Sequence, residues 1–519
     1  MKKQLFLFLL IISFPLITFT FLNNNNYPIT ECLNFNQSFS ENGKDFNGVS
    51  SNNVINIAYD AQEYIGLSNN IWNHNLTGYN ITVAVLDTGI FPNHSVFTND
   101  FSNNWSIRLK AFYDESIDNQ TLNPFDIHWH GTWVTSILGG NSTNYRGVAP
   151  GVNFVILKLF NEDNGELVTT LPILSKAIDW IIENKMKYHI RIASMSFGIT
   201  PTSLNIEYIK QIEDAIERLT AEGILVIAAA GNHGDNPEND GLGTIDAPAS
   251  AKSVLAVGGV DYEGVMYYKS GKGPTYDDFI KPDVCAPAIN VYGANPDDPP
   301  NDFRYGFGTS AATPFVAGLA ALLLEKNNDL LPSELKNIIS LTSFRTIDPK
   351  VIKDNIQGWG IIQGYAALDA LKNPILISQN TQIEFSLNEN QTVYCIPITL
   401  PSNHYFFELI QFNNTEAEMY IFDREPDEYG NPVLVSHTIN PFSLNRLNKR
   451  MGIYVINLHD YYLVVKLVDQ ETGKFLIRLV FEYRNIIFVG IFIVNFIGLI
   501  YVIKLNFNFR NKMLVRNKG

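Results

Sequence analysis

Through the middle of the chain, short apolar runs alternate with longer amphipathic stretches. Ile81–Leu86, Phe154–Leu159, Arg191–Ser196, Ile224–Ala229 and Ser253–Val257 are dominated by apolar and small residues, which predicts strands buried on both faces. Leu171–Asn184, Tyr208–Glu222 and Thr313–Glu325 carry apolar residues at helical spacing. Such alternation predicts an α/β fold, a parallel sheet with helices on both faces, over residues 54–372. Beyond it the period becomes two, as in Ile383, Phe385, Leu387 and Tyr394, Ile396, Ile398, so a β-sandwich-like domain is expected over 373–483. Tyr462–Val468 and Lys474–Glu482, joined by a short stretch ending in Gly473, are predicted to pair as a hairpin.

The two ends are patterned differently. Lys2 and Lys3 precede an apolar stretch from Leu5 to Leu22, which reads as a signal peptide over 1–22; its length also suits an uncleaved anchor. Residues 23–53 form a short N-terminal segment. Ile486–Ile503 is apolar except for Asn495, and its 18 residues at about 1.5 Å each give roughly 27 Å, enough to cross a bilayer. One transmembrane helix is therefore predicted over 484–504. Lys504 and the tail 505–519, with Arg510, Lys512, Arg516, Lys518 and no acid, orient that tail to the cytoplasm and the preceding ectodomain to the extracytoplasmic side. Asn-x-Ser/Thr sequons from Asn36 to Asn413 all fall on that outer side.

Composition narrows the classes. A net charge of -15 is unsuited to nucleic acid, and 46% hydrophobic residues in 519 exclude a disordered chain. Cys32, Cys285 and Cys395 are too few and scattered for a zinc site or a disulfide framework.

Three motifs carry chemistry. Val83-Ala84-Val85-Leu86-Asp87-Thr88-Gly89 is a buried strand ending in an acid and a turn. Aspartic proteases need two such Asp-Thr-Gly loops, and no second copy exists. His128-Trp129-His130-Gly131-Thr132 puts histidine at a helix start; as a metal pair it lacks further ligands at recognisable spacing. Gly306-Phe307-Gly308-Thr309-Ser310-Ala311-Ala312-Thr313-Pro314 leads into an apolar helix, where a serine is either an ordinary cap or a nucleophile beside backbone N–H groups. The Gly-x-Ser-x-Gly elbow of lipases fails at Ala312, which removes a lipid or ester hydrolase.

Asp, His and Ser follow in the chain order of subtilisin. On these motifs the sequence resembles the subtilisin-like serine proteases (subtilases, peptidase family S8) from about Val54 to Leu371. The texture of Gly78–Gly89, Leu159-Phe160-Asn161 and Val257–Asp261 is similar to membrane-bound site-1 proteases. The resemblance implies an Asp87, His130, Ser310 triad, with Asn232 of Ala228-Ala229-Ala230-Gly231-Asn232 completing an oxyanion hole beside the Ser310 N–H. It also implies that Ser194, Met195, Ser196, Phe197 and Gly198 bind an extended polypeptide by strand addition. No cofactor is required for this chemistry; structural calcium is implied only by the family.

There are departures. The 30-odd residues between Leu22 and Val54 are too few for the family's folding-assistant propeptide, and Trp133, Ala311 and Thr313 replace usual His, Met and Ser or Ala. Asp246 falls where the family has the floor of its first specificity pocket, which implies a basic P1 preference; the alternative is a solvated loop acid like Asp235, Glu238 and Asp240. The expected protein is a membrane-tethered serine endopeptidase acting outside the cytoplasm. The rival is a catalytically silent fold serving as a receptor or adhesion module.

Overall fold

The computed structural model describes residues 61–480, less 68–74, 99–107, 116–118, 121–122, 143–144, 164–165, 202–204, 297–301, 379–380, 413–414, 439–447 and 469–471. The expected signal peptide, the short N-terminal segment, the transmembrane helix and the basic tail all lie outside the described residues. Among the described residues, no helix is long and apolar enough to cross a membrane.

An eight-stranded sheet forms the centre of the larger domain. Its strands are β1 (Thr82–Asp87), β2 (Leu109–Asp114), β3 (Asn119–Gln120), β4 (Asn153–Lys158), β5 (Ile190–Met195), β6 (Leu225–Ala229), β7 (Leu255–Val260) and β8 (Val284–Pro287). Their spatial order is β8-β7-β6-β5-β1-β4-β2-β3. All neighbours are parallel except β2 and β3, which pair antiparallel.

The unbroken apolar run of β1 now has its cause. Val83 and Val85 point into one buried cluster with α1 (Trp129–Gly139) and α4 (Thr309–Lys326). Ala84 and Leu86 point into the other, with α2 (Leu171–Tyr188) and α3 (Ile206–Ala221). Helices on both faces leave no solvated side for a polar residue to occupy. α4 is buried around its whole circumference from Thr309 to Leu324.

Two strands at or next to a sheet edge escaped the pattern for local reasons. β2 reads Leu-Lys-Ala-Phe-Tyr-Asp, half polar because it lies near the edge, and β8 is four residues ending in proline. α4 begins four residues earlier than its predicted start, because Pro314 sits inside it.

Residues 375–480 form two sheets. One holds Ile375–Leu376, Val393–Leu400, His459–Leu467, Ala417–Asp423 and Leu434–His437 in that spatial order; the other holds Gln382–Leu387, Gly473–Val480, Asn403–Gln411 and Asn448–Val455. The predicted hairpin is not formed. His459–Leu467 is paired on both sides, with Val393–Leu400 and Ala417–Asp423, and Gly473–Val480 with Gln382–Leu387 and Asn403–Gln411. Each strand's hydrogen-bonding edges are full, so the chain crosses between sheets instead of turning back beside itself.

The five-stranded sheet is apolar on both faces. Ile396, Ile398, Met419, Ile421, Leu463 and Val465 fill the sandwich interior, whereas Val393, Cys395, Tyr420, Phe422, Tyr462 and Val464 join the core of the larger domain. Trp359 meets Phe422 edge-on at 6.0 Å between ring centroids. The sandwich is thus seated on the larger domain through a shared apolar core.

Candidate active site

Because the strands are parallel, the carboxyl ends of β1, β5 and β6 emerge at one edge of the sheet, and functional side chains collect there. Asp87 ends β1, Ser196 follows β5, and Asn232 follows β6. α1 and α4, which pack against each other, bring His130 and Ser310 on their first turns.

Asp87 is buried, and its Oδ1 lies 2.8 Å from His130 Nδ1 and accepts the Thr88 N–H at 2.8 Å. A carboxylate can only accept, so the bond fixes the imidazole proton on Nδ1 and leaves Nε2 as the basic nitrogen.

The start of α1 is held by side chains rather than water. The N–H of His130 donates to His128 Nδ1 at 3.4 Å, that of Gly131 to Thr88 Oγ1 at 2.9 Å, and that of Thr132 to Asp126 Oδ2 at 2.7 Å. These are groups a helix leaves unsatisfied at its N-terminus, each now a strut under His130. Burial, with His130 alongside, pushes the pKa of His128 down to about 4, so its ring is neutral near pH 7 and can accept. The two motifs interlock through their glycines: a Cβ on Gly131 would stand 2.2 Å from the Gly89 carbonyl oxygen.

Asp126 is the residue that sequence reasoning missed. Its Oδ1 accepts from Thr88 Oγ1 at 2.7 Å and from the His128 N–H at 3.2 Å; its Oδ2 accepts from the Thr132 N–H and, at 2.5 Å, the Thr132 hydroxyl. It joins the loop carrying Asp87 to the helix carrying His130, and is a positioning residue. Four residues ahead of His130 it looks like any loop acid; the available signal was its place just before a helix start. Burial raises its pKa to about 6, partly opposed by hydrogen bonds from Thr132 and Thr88.

Asp126 therefore carries the first prediction. Asp126→Asn turns an N–H2 group toward donors, so kcat is expected to fall about ten- to a hundredfold through misplacement of His130. With its folded pKa raised, Asp126 takes up a proton as pH falls through about 6, and the stability it contributes is complete below its unfolded pKa and lost as pH rises through 6. The acid limb of the wild-type kcat/KM profile should then be steeper than the limb left in Asp126→Asn. Identical limb slopes with unchanged kcat would contradict this role.

At α4, Gly308 has φ 116°, a left-handed conformation that lets the chain turn sharply into the helix. The Thr309 N–H donates to Asn232 Oδ1 at 2.9 Å. With its oxygen so engaged, the Asn232 amide directs Nδ2 away from Thr309, and the Ser310 N–H lies at the same helix N-terminus. The Ser310 hydroxyl donates to the Ser196 carbonyl at 2.9 Å, and Ser196 Oγ donates to the Ser310 carbonyl at 3.0 Å. Pro314 explains the second bond: it has no N–H, so the carbonyl four residues back is not claimed by the helix. Attack requires Ser310 Oγ to leave Ser196 and turn to His130 Nε2, as catalytic bonds in an unliganded site commonly tighten only with substrate.

Of the five residues expected to bind peptide, two are already committed to the sheet. Ser194 and Met195 are paired on both sides within the sheet, to Val85 and Leu86 of β1 and to Ile227 and Ala228 of β6, so neither has a free edge for a substrate strand. Phe197 is buried edge-on against Phe160. Only the backbone from Ser196 to Gly198 suits strand addition. It is pinned by paired Ile199 and Ala247 hydrogen bonds of 2.9 Å in each direction.

That pairing brings Asp246 beneath the same segment. Asp246 is 0% exposed, which overturns the solvated-loop alternative. Thr200 Oγ1 donates to its Oδ1 at 2.6 Å, and a Cβ on Gly231 would stand 2.5 Å from the carboxyl group.

The departures have packing consequences. Trp133 is fully buried against Gly293 and Gly306, where any Cβ would come within 2.4 Å of the indole. Cys285 and Cys395 are buried free thiols, and among the described residues no group of three or more His, Cys, Asp or Glu side chains is arranged to hold a metal ion.

An acid bonded to a histidine, a serine at a buried helix start, and an amide beside it form the arrangement of a serine hydrolase working by acyl transfer. Residues 78–360 match the subtilase family, and the chain belongs to that family of serine proteases. Among its relatives, serine protease AprX of Bacillus subtilis is 32% identical over 55% of this chain and 66% of that protein. Subtilisin DY of Bacillus licheniformis is 31% identical over 51% of this chain and 84% of that protein. The Clostridium perfringens CspB protease structure, at 18% identity and a TM-score of 0.53 over 60% of this chain and 97% of that one, shares the fold.

Proposed function

We propose that this chain is a membrane-tethered serine endopeptidase that cleaves extracytoplasmic polypeptides after basic residues. The observation that carries the catalytic reading is the 2.8 Å bond from His130 Nδ1 to buried Asp87, on a helix packed against the one bearing Ser310. In this reading Ser310 Oγ attacks the scissile carbonyl, forming the C–O bond, while His130 Nε2 takes its proton. Asn232 Nδ2 and the Ser310 N–H stabilise the oxyanion. Collapse breaks the C–N bond, His130 returns the proton to the leaving amine, and water then repeats the cycle in reverse to free the acid and Ser310.

Tethering is supported by the apolar run Ile486–Ile503 with its basic flank, and the extracytoplasmic side by that charge asymmetry together with the N-terminal signal pattern. The P1 preference is supported by Asp246 beneath Gly198 and beside Gly231. Asp246 is 0% exposed in the free site, so its charge acts on a P1 side chain across the Ser196–Gly198 segment, favouring a cationic side chain over an apolar one. Wild type is expected to favour Arg over Leu at P1 by about 10²-fold or more in kcat/KM, and Asp246→Asn to lose most of that ratio while still cleaving after Leu. Peptide-library profiling of both proteins is the test; equal wild-type cleavage after Leu and Arg would end the specificity reading.

A further inference from the structure

The sandwich exposes apolar side chains at one end. Tyr454 and Ile456 are each 73% exposed and Leu458 66%, at and around the turn between strands Asn448–Val455 and His459–Leu467. Isolated exposed leucines are ordinary, but Tyr454, Ile456 and Leu458 place three large apolar side chains within five residues at one turn, a local apolar patch.

Strand register says what lies opposite. Phe406 pairs with both Gly452 and Val480, so the final described strand ends level with Gly452 while the chain is heading toward this turn. The turn reaches about four residues further, roughly 13 Å. From Val480 to Ile486 is six residue steps, at most about 20 Å of extended chain. A membrane span beginning at Ile486 therefore brings the bilayer within reach of the turn.

We propose that Tyr454, Ile456 and Leu458 insert into the interface of the bilayer that holds the 486–503 span, an inference that rests on the tethered reading above. Tyrosine suits the headgroup layer, with an apolar ring and a polar tip, while Ile456 and Leu458 suit the acyl boundary beneath it. One span alone would let the ectodomain swivel. Insertion of the turn makes a second point of attachment, and because the sandwich shares its core with the larger domain, it sets the height and attitude of the peptide-binding edge above the membrane.

The test uses the full chain in phosphatidylcholine nanodiscs with an environment-sensitive dye at Ile456→Cys. The control is Phe412→Cys, 58% exposed at the opposite end of the sandwich, where the Phe412 N–H bonds the Lys474 carbonyl. Both are made with Cys32→Ser; Cys285 and Cys395 are buried and do not compete for dye. The expected result is a blue-shifted emission at 456, quenched by spin-labelled lipid, and water-like, unquenched emission at 412. Water-like emission at both positions in chains that co-elute with the discs would leave the tether standing and overturn the inserted turn. Chains that do not enter the discs would overturn the tethered reading and the inference together.

Discussion

Ser310→Ala is expected to lower kcat/KM by about 10⁶-fold, the scale set by loss of the nucleophile in a triad of this kind. His130→Ala should cost nearly as much, and the double variant scarcely more than either, because the two act as a unit in one proton transfer. Steady-state hydrolysis of a chromogenic peptide by the three variants checks this. The structure supplies the reason for coupling: His130 is held by Asp87 on one ring nitrogen and by three capped N–H groups beneath it, so its remaining nitrogen has one job. The residual rate above water should be about 10³–10⁴-fold, from the oxyanion donors and binding alone. Multiplying losses in the double variant would mean that serine and histidine act independently, which would contradict a shared proton transfer.

The second large effect falls on Asn232. Its Oδ1 holds the Thr309 N–H, and that bond sets which face of the amide carries the N–H2 group. Asn232→Leu keeps the volume and removes the donor, so kcat should fall about 10²–10³-fold, or roughly 2.7–4 kcal/mol, with KM little changed. Asn232→Asp retains an acceptor for Thr309 but presents negative charge to an oxyanion and should be worse than Leu. A rise in KM with kcat preserved would move Asn232 from transition-state stabilisation to substrate binding.

Most of the architecture was legible because burial on both sides writes itself into sequence. β1, β6 and β7 are buried at every position since each lies between helices, and the change to period two after residue 372 tracks the start of the paired sheets. What failed was information held by distant partners. β2, next to the edge, and β8, at the edge, carry polar or proline residues that their position tolerates, and the apparent hairpin near Gly473 was two strands already claimed by four others. At the site, Asp87, His130, Ser310 and Asn232 stand in motifs whose glycines and neighbours are unusual together. Asp126 has no such setting: its importance comes from Thr88, 38 residues before it, and Thr132, six after. Asp246 could be counted to by position, yet its burial beneath Gly198 and Gly231 required the fold.

The central claim is that Ser310 is an activated nucleophile. Its most direct test is labelling of the purified protein with a fluorophosphonate, which reacts with a serine made nucleophilic by an adjacent base, followed by mass spectrometry of the labelled peptide. Wild type should carry one adduct on Ser310, Asp126→Asn should label more slowly, and Ser310→Ala and His130→Ala should not label. An unlabelled, well-folded wild type, or label retained in Ser310→Ala, would contradict the account.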